Sequence, residues 1–186
     1  PLEETLQALV DIVRSGKALY VGLSRYPLEA ARFAFDYLKR RDVPCLLFQD
    51  RYNLLDRMPA ESGVLDLTVA EGSGFIVFSP LAQGLLTNRY LNGIPTDSRM
   101  AENRTLHSEV LDETMLRRLR GLDALARERG QSLADMSLAW LLRDERITSV
   151  IIGASSTAQI EDNLRAMEHM EFSAEDLARI EELLGA

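Results

Sequence analysis

Residues 74–100, GFIVFSPLAQGLLTNRYLNGIPTDSRM, begin as a short apolar run and continue into a long polar loop. The run FIVFSPLA at 75–82 begins with aromatic and β-branched side chains, which predicts a buried strand. The loop after it carries Arg89 and Arg99, although the chain has a formal net charge of -8. Cations placed directly after a buried strand in an acidic chain indicate a local anion site rather than a basic surface.

The strand pattern at 75–82 recurs along the chain and alternates with helical patterns. Apolar runs at 18–24, 44–55 and 149–155 predict further strands. Strands that alternate with helices predict a parallel sheet buried on both faces, so the predicted fold class is α/β. No linker or repeat interrupts the pattern, which predicts a single domain over residues 1–186. The helical patterns lie at 1–16, 27–42, 61–74, 113–130, 132–145, 156–167 and 173–184.

The composition is that of a globular protein, with 46% hydrophobic and 27% charged residues among 186. The net charge of -8 argues against a nucleic-acid or membrane surface, because a negative field repels polyanions and anionic lipid. The sequence has no signal peptide or long apolar span, and the single cysteine, Cys45, cannot form an internal disulfide. These features predict a cytoplasmic protein in which Cys45 is a small buried apolar residue.

Polar or backbone-exposing residues follow each predicted strand at once. In parallel α/β folds, ligands gather at the carboxyl ends of strands, where loops and helix N-termini meet. Turn and cap chemistry explains any one of these residues taken alone, whereas their recurrence at every strand end favours a ligand site. The residues are Ser24, Arg25, Gln49, Asp50, Arg51, Ser79, Gln83, Gly84, Gly153, Ser155 and Ser156.

The segment IIGASSTAQIEDN at 151–163 combines a glycine, a run of hydroxyl residues and a polar helix face. Gly153 lets the backbone approach a ligand closely, and the free amides of the helix that follows attract anions such as phosphate. Three residues on one face of that helix, Gln159, Asp162 and Asn163, can hold a purine edge. The alternative is an ordinary Ser/Thr N-cap with a solvated polar face behind it, and the pattern does not decide between them.

Four segments, GKALYVGLSRY, FQDRYNLLDR, FSPLAQGLLTNRYLNGIPTDSR and IIGASSTAQIEDN, together resemble the aldo-keto reductase superfamily of NADPH-dependent (β/α)8 barrels. They occur in the family's order and at its spacing. The resemblance is closest to the branch of L-glyceraldehyde-3-phosphate reductase-like enzymes and potassium-channel β subunits. It implies that residues 1–186 are the C-terminal, cofactor-binding half of a TIM barrel, with about four strands and their outer helices.

The resemblance implies that the strand ends bind NADP(H). Phe78 matches the aromatic residue on which the nicotinamide ring stacks. Ser24, Arg25 and Gln49 match the positions that hold the nicotinamide carboxamide. The loop that wraps the pyrophosphate is matched by Ser79, Pro80, Leu81, Gln83 and Gly84, with Arg89 and Arg99 as its basic positions. The adenosine end is matched by Gly153, Ser155, Gln159, Asp162 and Asn163.

The preference between NADPH and NADH stays open. Ser155 and Gln159 match the positions nearest the expected 2′-phosphate, but Gln159 stands where many reductases have Arg. Arg25 likewise stands where many have Asn. Both departures fit the channel-β-like branch.

The catalytic groups implied by the resemblance are absent from the sequence. Aldo-keto reductases use a Tyr acid assisted by Lys, Asp and His, all from the first half of the barrel. Lys17 precedes a predicted strand and Lys39 lies late in a helical pattern, so neither is placed to lower the pKa of a Tyr beside the cofactor. His107 and His169 are expected to be solvated or packing residues. We therefore expect no catalytic residue or metal site in this chain, and the missing N-terminal half-barrel as its partner.

Three hypotheses follow for the function. The first is a parent enzyme that reduces small aldehydes or ketones with NADPH, in which this chain supplies the cofactor site and is inactive alone. The second is an NADP(H)-binding or channel-β-like regulatory module without significant turnover. The third is a non-enzymatic open α/β domain that pairs with a partner along its exposed strand edges.

Overall fold

The computed structural model describes residues 1–96, 98, 100–101 and 106–185. Strands and helices alternate along most of this chain, as the sequence pattern predicts. The strands are β1 (Val21–Ser24), β2 (Cys45–Arg51), β3 (Gly74–Phe78) and β4 (Ser149–Val150). The helices are α1 (Leu2–Arg14), α2 (Leu28–Lys39), α3 (Met58–Glu61), α4 (Val64–Ala70), α5 (Glu113–Glu128), α6 (Leu133–Leu142), α7 (Thr157–Leu164) and α8 (Ala174–Leu184).

The four strands form one parallel sheet in the order β1-β2-β3-β4. Each strand therefore pairs with the strand that follows it in sequence, and a helical crossover or a longer connection joins the two. The prediction of an α/β fold with four parallel strands is confirmed. Contacts within the chain define two compact units, and the single domain stays a prediction. Unit 1 is Pro1–Tyr52, Asp56–Phe78 and Glu145–Ile151, and unit 2 is Asn53–Leu55, Ser79–Asp144 and Ile152–Ala186.

Unit 1 contains the sheet, and its core lies on one face of it. Leu23, Phe48 and Phe75 are in register across three strands and are all buried. The rings of Phe48 and Phe75 stack with centroids 6.0 Å apart. Alternate strand residues point to the opposite face, which is exposed or only half-buried among the described residues. That face carries Gly22, Ser24, Leu47, Gln49, Ile76 and Phe78.

Unit 2 is mainly helical and holds its helices together with caps and close packing. Helix α6 is buried along most of its length, and capping boxes at Ser132 and Ser173 begin α6 and α8. Helices α5 and α8 pack together, with Gly121 against Leu183. A Cβ at Gly121 would lie 2.3 Å from the Leu183 side chain, so glycine allows this close approach.

Several predicted elements differ from the structure, and the strands predicted at 44–55 and 75–82 end earlier, at Arg51 and Phe78. The predicted helix at 61–74 is shortened to α4, and Gly63, with a left-handed φ of 82°, separates α4 from the short helix α3, which the sequence pattern did not predict. The predicted strand at 149–155 is only the two residues of β4. Within the described chain β4 pairs only with β3, so no second neighbour extends its ladder beyond the hydrogen bond from Ile151 N to Val77 O.

The burial of individual side chains also tests several predictions made for single residues. Cys45 is buried and unpaired, and this burial raises the pKa of its thiol. His107 and His169 are exposed, whereas Tyr52 is buried as a packing residue. Among the described residues, no helix combines the length and apolarity that crossing a bilayer requires.

Candidate functional site

The carboxyl ends of β1, β2 and β3 bring together the residues predicted for the nicotinamide end. Ser24 ends β1 and pairs in register with Gln49 of β2. Phe78 ends β3 and pairs with Arg51 of β2. Arg25 follows β1 directly, and its backbone N–H donates to the carbonyl of Gln49 at 3.1 Å. Three neighbouring strands thus present an amide, a hydroxyl, a guanidinium and an aromatic ring along one edge of the sheet.

Left-handed backbone conformations mark two of these strand ends. Of the five non-glycine residues with positive φ in the described chain, four lie at a predicted cofactor loop. Such conformations are strained for residues with a Cβ and are concentrated at functional sites in proteins. The residues are Arg25 (58°) after β1, and Ser79 (52°), Ala82 (46°) and Gln83 (57°) after β3.

The end of β2 carries additional charges. Asp50 is buried, and its Oδ1 accepts a hydrogen bond from the backbone N–H of Arg51 at 2.7 Å. The Arg51 side chain pairs with Asp56 at 2.5 Å. Arg25 Nε lies 3.8 Å from Asp50 Oδ1. Burial raises the pKa of Asp50, although the Arg51 backbone and the nearby arginines act in the opposite direction.

In unit 2, the loop after β3 is held by a residue that the sequence reasoning missed. Asn53 is buried, and its Nδ2 donates to the carbonyl of Ser79 at 3.0 Å. Its Oδ1 accepts from the backbone N–H of Leu55 at 2.9 Å. A buried amide that satisfies two backbone groups fixes the start of the predicted pyrophosphate loop. An Asn soon after a strand is also a common turn residue, so no separate signal in the sequence indicates this role.

The remainder of that loop forms two 3₁₀ turns. Gln83 and Gly84 lie in the first, Ala82–Gly84, which follows Pro80 and Leu81. Arg89 is exposed in the second, Asn88–Tyr90. Thr87 joins them, because its hydroxyl donates to the Gly84 carbonyl at 2.7 Å and accepts from the Arg89 N–H at 3.2 Å. Arg99, the second predicted basic position, lies outside the described residues.

The residues predicted for the 2′-phosphate contact each other at the start of α7. The Oε1 atom of Gln159 accepts from the backbone N–H of Ser155 at 2.8 Å and from its hydroxyl at 3.1 Å. A backbone N–H can only donate, so the Gln159 atom that faces it is the oxygen, Oε1. The Nε2 amino group of Gln159 therefore lies on the other side of the amide, where it can donate. Ser156 is the N-cap of α7, accepting from Gln159 N at 3.3 Å. The N-cap interpretation of this segment therefore holds for Ser156, and the ligand-binding interpretation stays a prediction.

The other adenosine-end residues are placed as follows. Gly153 precedes α7, and a Cβ built on it would meet none of the described atoms within 4 Å. Asp162 is exposed and forms an ion pair with Arg165, as expected for a residue on a solvated helix face. Asn163 is half-buried on the same helix. The open space at Gly153 and the amide donor of Gln159 are compatible with a phosphorylated ligand, and the adenosine end of NADP(H) stays a prediction for this segment.

The two lysines lie where the sequence predicts. Lys17 follows α1 and precedes β1, at the amino end of the sheet. Lys39 ends α2, and its Nζ contacts Glu71 Oε2 at 3.1 Å. Neither position is at the carboxyl ends of the strands, where the nicotinamide-end residues lie.

Comparison with known proteins identifies the family of this chain. The model of the Aldo/keto reductase family matches residues 1–184. The chain belongs to this family. The resemblance stated from the sequence motifs is thereby confirmed, and the four-stranded sheet corresponds to part of an aldo-keto reductase barrel.

Two groups of relatives in this family are similar to the chain. L-glyceraldehyde 3-phosphate reductase of Escherichia coli K12 is 48% identical over 186 residues, which cover 98% of this chain and 54% of that protein. A probable voltage-gated potassium channel subunit beta of Oryza sativa subsp. japonica is 38% identical, over 90% of this chain and 52% of that protein. The chain thus spans about half the length of the curated aldo-keto reductase relatives it matches.

A solved aldo-keto reductase structure is also similar. The crystal structure of a thermostable aldo-keto reductase in complex with the inhibitor epalrestat is 27% identical, with a TM-score of 0.67. The match covers 98% of this chain and 55% of that structure. Sequence and structure comparisons therefore agree on both the family and the share of its length that this chain represents.

Proposed function

We propose that this chain forms the NADP(H)-binding half of an oxidoreductase that reduces a small aldehyde or ketone to the alcohol. The observation that supports this most is the register at the carboxyl ends of β1, β2 and β3, where Ser24, Gln49 and Phe78 share one edge of a parallel sheet. Identity of 48% to a reductase of L-glyceraldehyde 3-phosphate favours small, phosphorylated aldehydes as the substrate class.

Each predicted residue has a chemical role in this proposal. NADPH, when bound, supplies the hydride for the carbonyl carbon. Gln49 and Ser24 hold its carboxamide by hydrogen bonds, and Phe78 provides an apolar surface that fixes which ring face is presented. Because Gln49 and Phe78 are half-buried, their side chains are already restricted before a ligand binds.

In unit 2, separate groups provide for the phosphates. Arg89 is exposed in the loop after β3, where it can neutralise pyrophosphate charge in an acidic protein. The Nε2 amino group of Gln159 can donate to a 2′-phosphate, while its Oε1 is held by Ser155. A neutral amide binds phosphate less strongly than an arginine, so we expect a modest preference for NADPH over NADH.

The partner in this proposal is the first half of the barrel. The described sheet leaves β1 and β4 each paired on one side only. Leu19 and Tyr20, directly before β1, are 82% and 66% exposed. In unit 2, Leu164 and Met167 are 56% and 61% exposed at the end of α7 and in the turn after it. Closing a barrel pairs both edge strands and covers such apolar surface.

A titration of this chain with NADPH, followed by cofactor fluorescence, tests the proposal. We expect saturable binding, and Phe78→Ala is expected to weaken it about tenfold because the stacking surface is lost. The matched control is Phe33→Ala, which removes a ring that is 41% exposed on α2. Absence of binding by the parent chain, or equal loss in both variants, would contradict the proposal.

The 2′-phosphate assignment is tested with Gln159→Glu. Glutamate still accepts from Ser155 but places negative charge beside the expected phosphate, so NADPH binding should weaken about tenfold and NADH binding should change little. Ala158→Glu adds the same charge at an adjacent exposed position. It controls for the general electrostatic effect of one more negative charge near the cofactor. A similar loss for both cofactors would count against a 2′-phosphate at this position.

A regulatory module that binds NADP(H) without significant turnover is the second candidate. Its support is the identity of 38% to a potassium channel β subunit. Both candidates predict NADPH binding by this chain. They differ in turnover once the rest of the barrel is present.

A further inference from the structure

A buried carboxylate at the end of β2 is not explained by packing. The Asp50 side chain is 1% exposed. Its Oδ1 accepts one hydrogen bond, from the backbone N–H of Arg51 at 2.7 Å. Its Oδ2 is buried and has no hydrogen-bond partner among the described residues. An ionised carboxylate with one oxygen unsatisfied destabilises a fold unless another interaction offsets it.

The charged groups around Asp50 identify that interaction. Burial raises the pKa of Asp50, while Arg25 and Arg51 favour its ionised form and Asp56 opposes it. Arg51 is already paired through its side chain with Asp56 at 2.5 Å. Arg25 Nε lies 3.8 Å from Asp50 Oδ1. The buried carboxyl group of Asp50 is therefore the acidic group that lies within ion-pair distance of the Arg25 side chain.

Among the described residues, the contact with Asp50 is the interaction found for the Arg25 side chain. Its backbone is fixed, with a φ of 58° and a hydrogen bond from its N–H to the Gln49 carbonyl. The side chain is nevertheless 56% exposed. A long exposed guanidinium side chain loses considerable rotamer entropy when it is ordered by a ligand. A rigid, buried carboxylate within ion-pair distance reduces that loss before the ligand arrives.

We propose that Asp50 is a positioning residue that holds the Arg25 guanidinium at the nicotinamide end of the cofactor site. Asp50 does not touch the cofactor and acts through Arg25. The consequence for binding rests on the proposed function, whereas the ordering of Arg25 does not. Burying the Asp50 carboxylate lowers the stability of the fold locally. The ordered Arg25 side chain compensates for this loss by strengthening cofactor binding.

The first test is a double-mutant cycle on NADPH affinity. Asp50→Asn keeps the size of the side chain and an oxygen that accepts from Arg51 N–H, but removes the charge. We expect about fivefold weaker NADPH binding in Asp50→Asn and no further loss when it is added to Arg25→Gln. Asp36→Asn, which removes the exposed partner of Arg40 on α2, is the control and should bind as the parent does. Additive losses in the double variant would overturn the proposal.

Two further measurements separate positioning from a structural role. The melting temperature of Asp50→Asn should equal or exceed that of the parent, because a buried charge is removed, so a clear fall would overturn the proposal. The Arg25 Nε–Hε resonance, assigned by its loss in Arg25→Gln, should indicate an ordered side chain in the parent and a mobile one in Asp50→Asn. An unchanged resonance would overturn the proposal. If the parent chain does not bind NADPH, the proposed function fails, and this resonance still decides whether Asp50 orders Arg25.

Discussion

Carbonyl reduction is expected to appear only when the first half of an aldo-keto reductase barrel is joined to this chain. The chain alone is expected to bind NADPH without reducing aldehydes. A single polypeptide that places the preceding half of the Escherichia coli K12 L-glyceraldehyde 3-phosphate reductase before Pro1 should reduce L-glyceraldehyde 3-phosphate. A general acid accelerates such reactions by a factor of about 100 to 10,000. The joined protein should therefore reduce the aldehyde at least about 100-fold faster than the chain alone.

The physical reason is the placement of the lysines and the nicotinamide-end residues. Ser24, Gln49 and Phe78 lie at the carboxyl ends of the strands, whereas Lys17 is at the amino end and Lys39 is paired with Glu71. We therefore expect the proton donor next to the hydride to come from the part of the barrel that this chain does not supply. Because the chain is 48% identical to this reductase over 186 residues, we expect the joined halves to pack together.

NADPH oxidation at 340 nm measures this gain, with the joined protein carrying Phe78→Ala as the matched control. The control keeps the whole catalytic half and loses only the stacking ring, so it should show weaker NADPH binding. A joined protein that folds and binds NADPH but shows no turnover would favour the regulatory module. Turnover by the chain alone would show that its own residues include the acid.

Arg129→Ala is expected to destabilise unit 2 by about 3 kcal/mol, because it breaks a largely buried ion pair with Asp176. The Arg129 side chain is 11% exposed and also donates to the Glu171 carbonyl at 2.7 Å. Its guanidinium lies 3.9 Å from the centre of the Phe172 ring. Thermal unfolding should show a fall of about 10 °C in Tm.

The control for this prediction is Arg179→Ala, which removes the other arginine that joins α5 to the α8 segment. Arg179 and Glu128 are 40% and 57% exposed, and their hydrogen bond lowers the pKa of Glu128. Solvent screens exposed pairs, so the loss of Tm should be much smaller. Equal losses in the two variants would mean that burial does not determine the strength of these pairs.

The Arg129 effect should depend on pH. Burial raises the pKa of Asp176, but hydrogen bonds from Ser173 and the charge of Arg129 outweigh it, so the net shift is downward. A carboxyl group with a lowered folded pKa stabilises the fold above its unfolded pKa and loses that contribution as the pH falls through the folded value. The Tm difference between parent and Arg129→Ala should therefore be complete at pH 7 and decrease below about pH 4. A difference independent of pH would contradict the ion-pair explanation.

Local patterns predicted the element types well because each depends on short-range physics. The strand at Gly74–Phe78 and the helix at Ala174–Leu184 follow from side-chain periodicity and, for α8, a capping box of Ser173 with Asp176. The family motifs placed Ser155 and Gln159 near one ligand group, and the structure joins them by hydrogen bonds. Such pairs are predictable because they lie one helical turn apart.

Long-range contacts were not predictable in the same way. Asn53 holds the carbonyl of Ser79 across 26 positions of sequence, and nothing in the local pattern distinguishes it from a turn residue. The short extent of β4 likewise depends on which strand lies beside it. Tertiary pairing determines both, since neighbours in space satisfy or leave open the backbone groups.

The sequence by itself determined the order of strands and helices, the family and the polar residues at the strand ends. Those features depend on residue type, periodicity and spacing, which are all local to the chain. Only the tertiary structure decided that Asp50 is buried with one oxygen unsatisfied and faces Arg25 from the neighbouring strand. The free energy of a charge depends on its burial and on the charges packed around it, and folding alone brings those groups together.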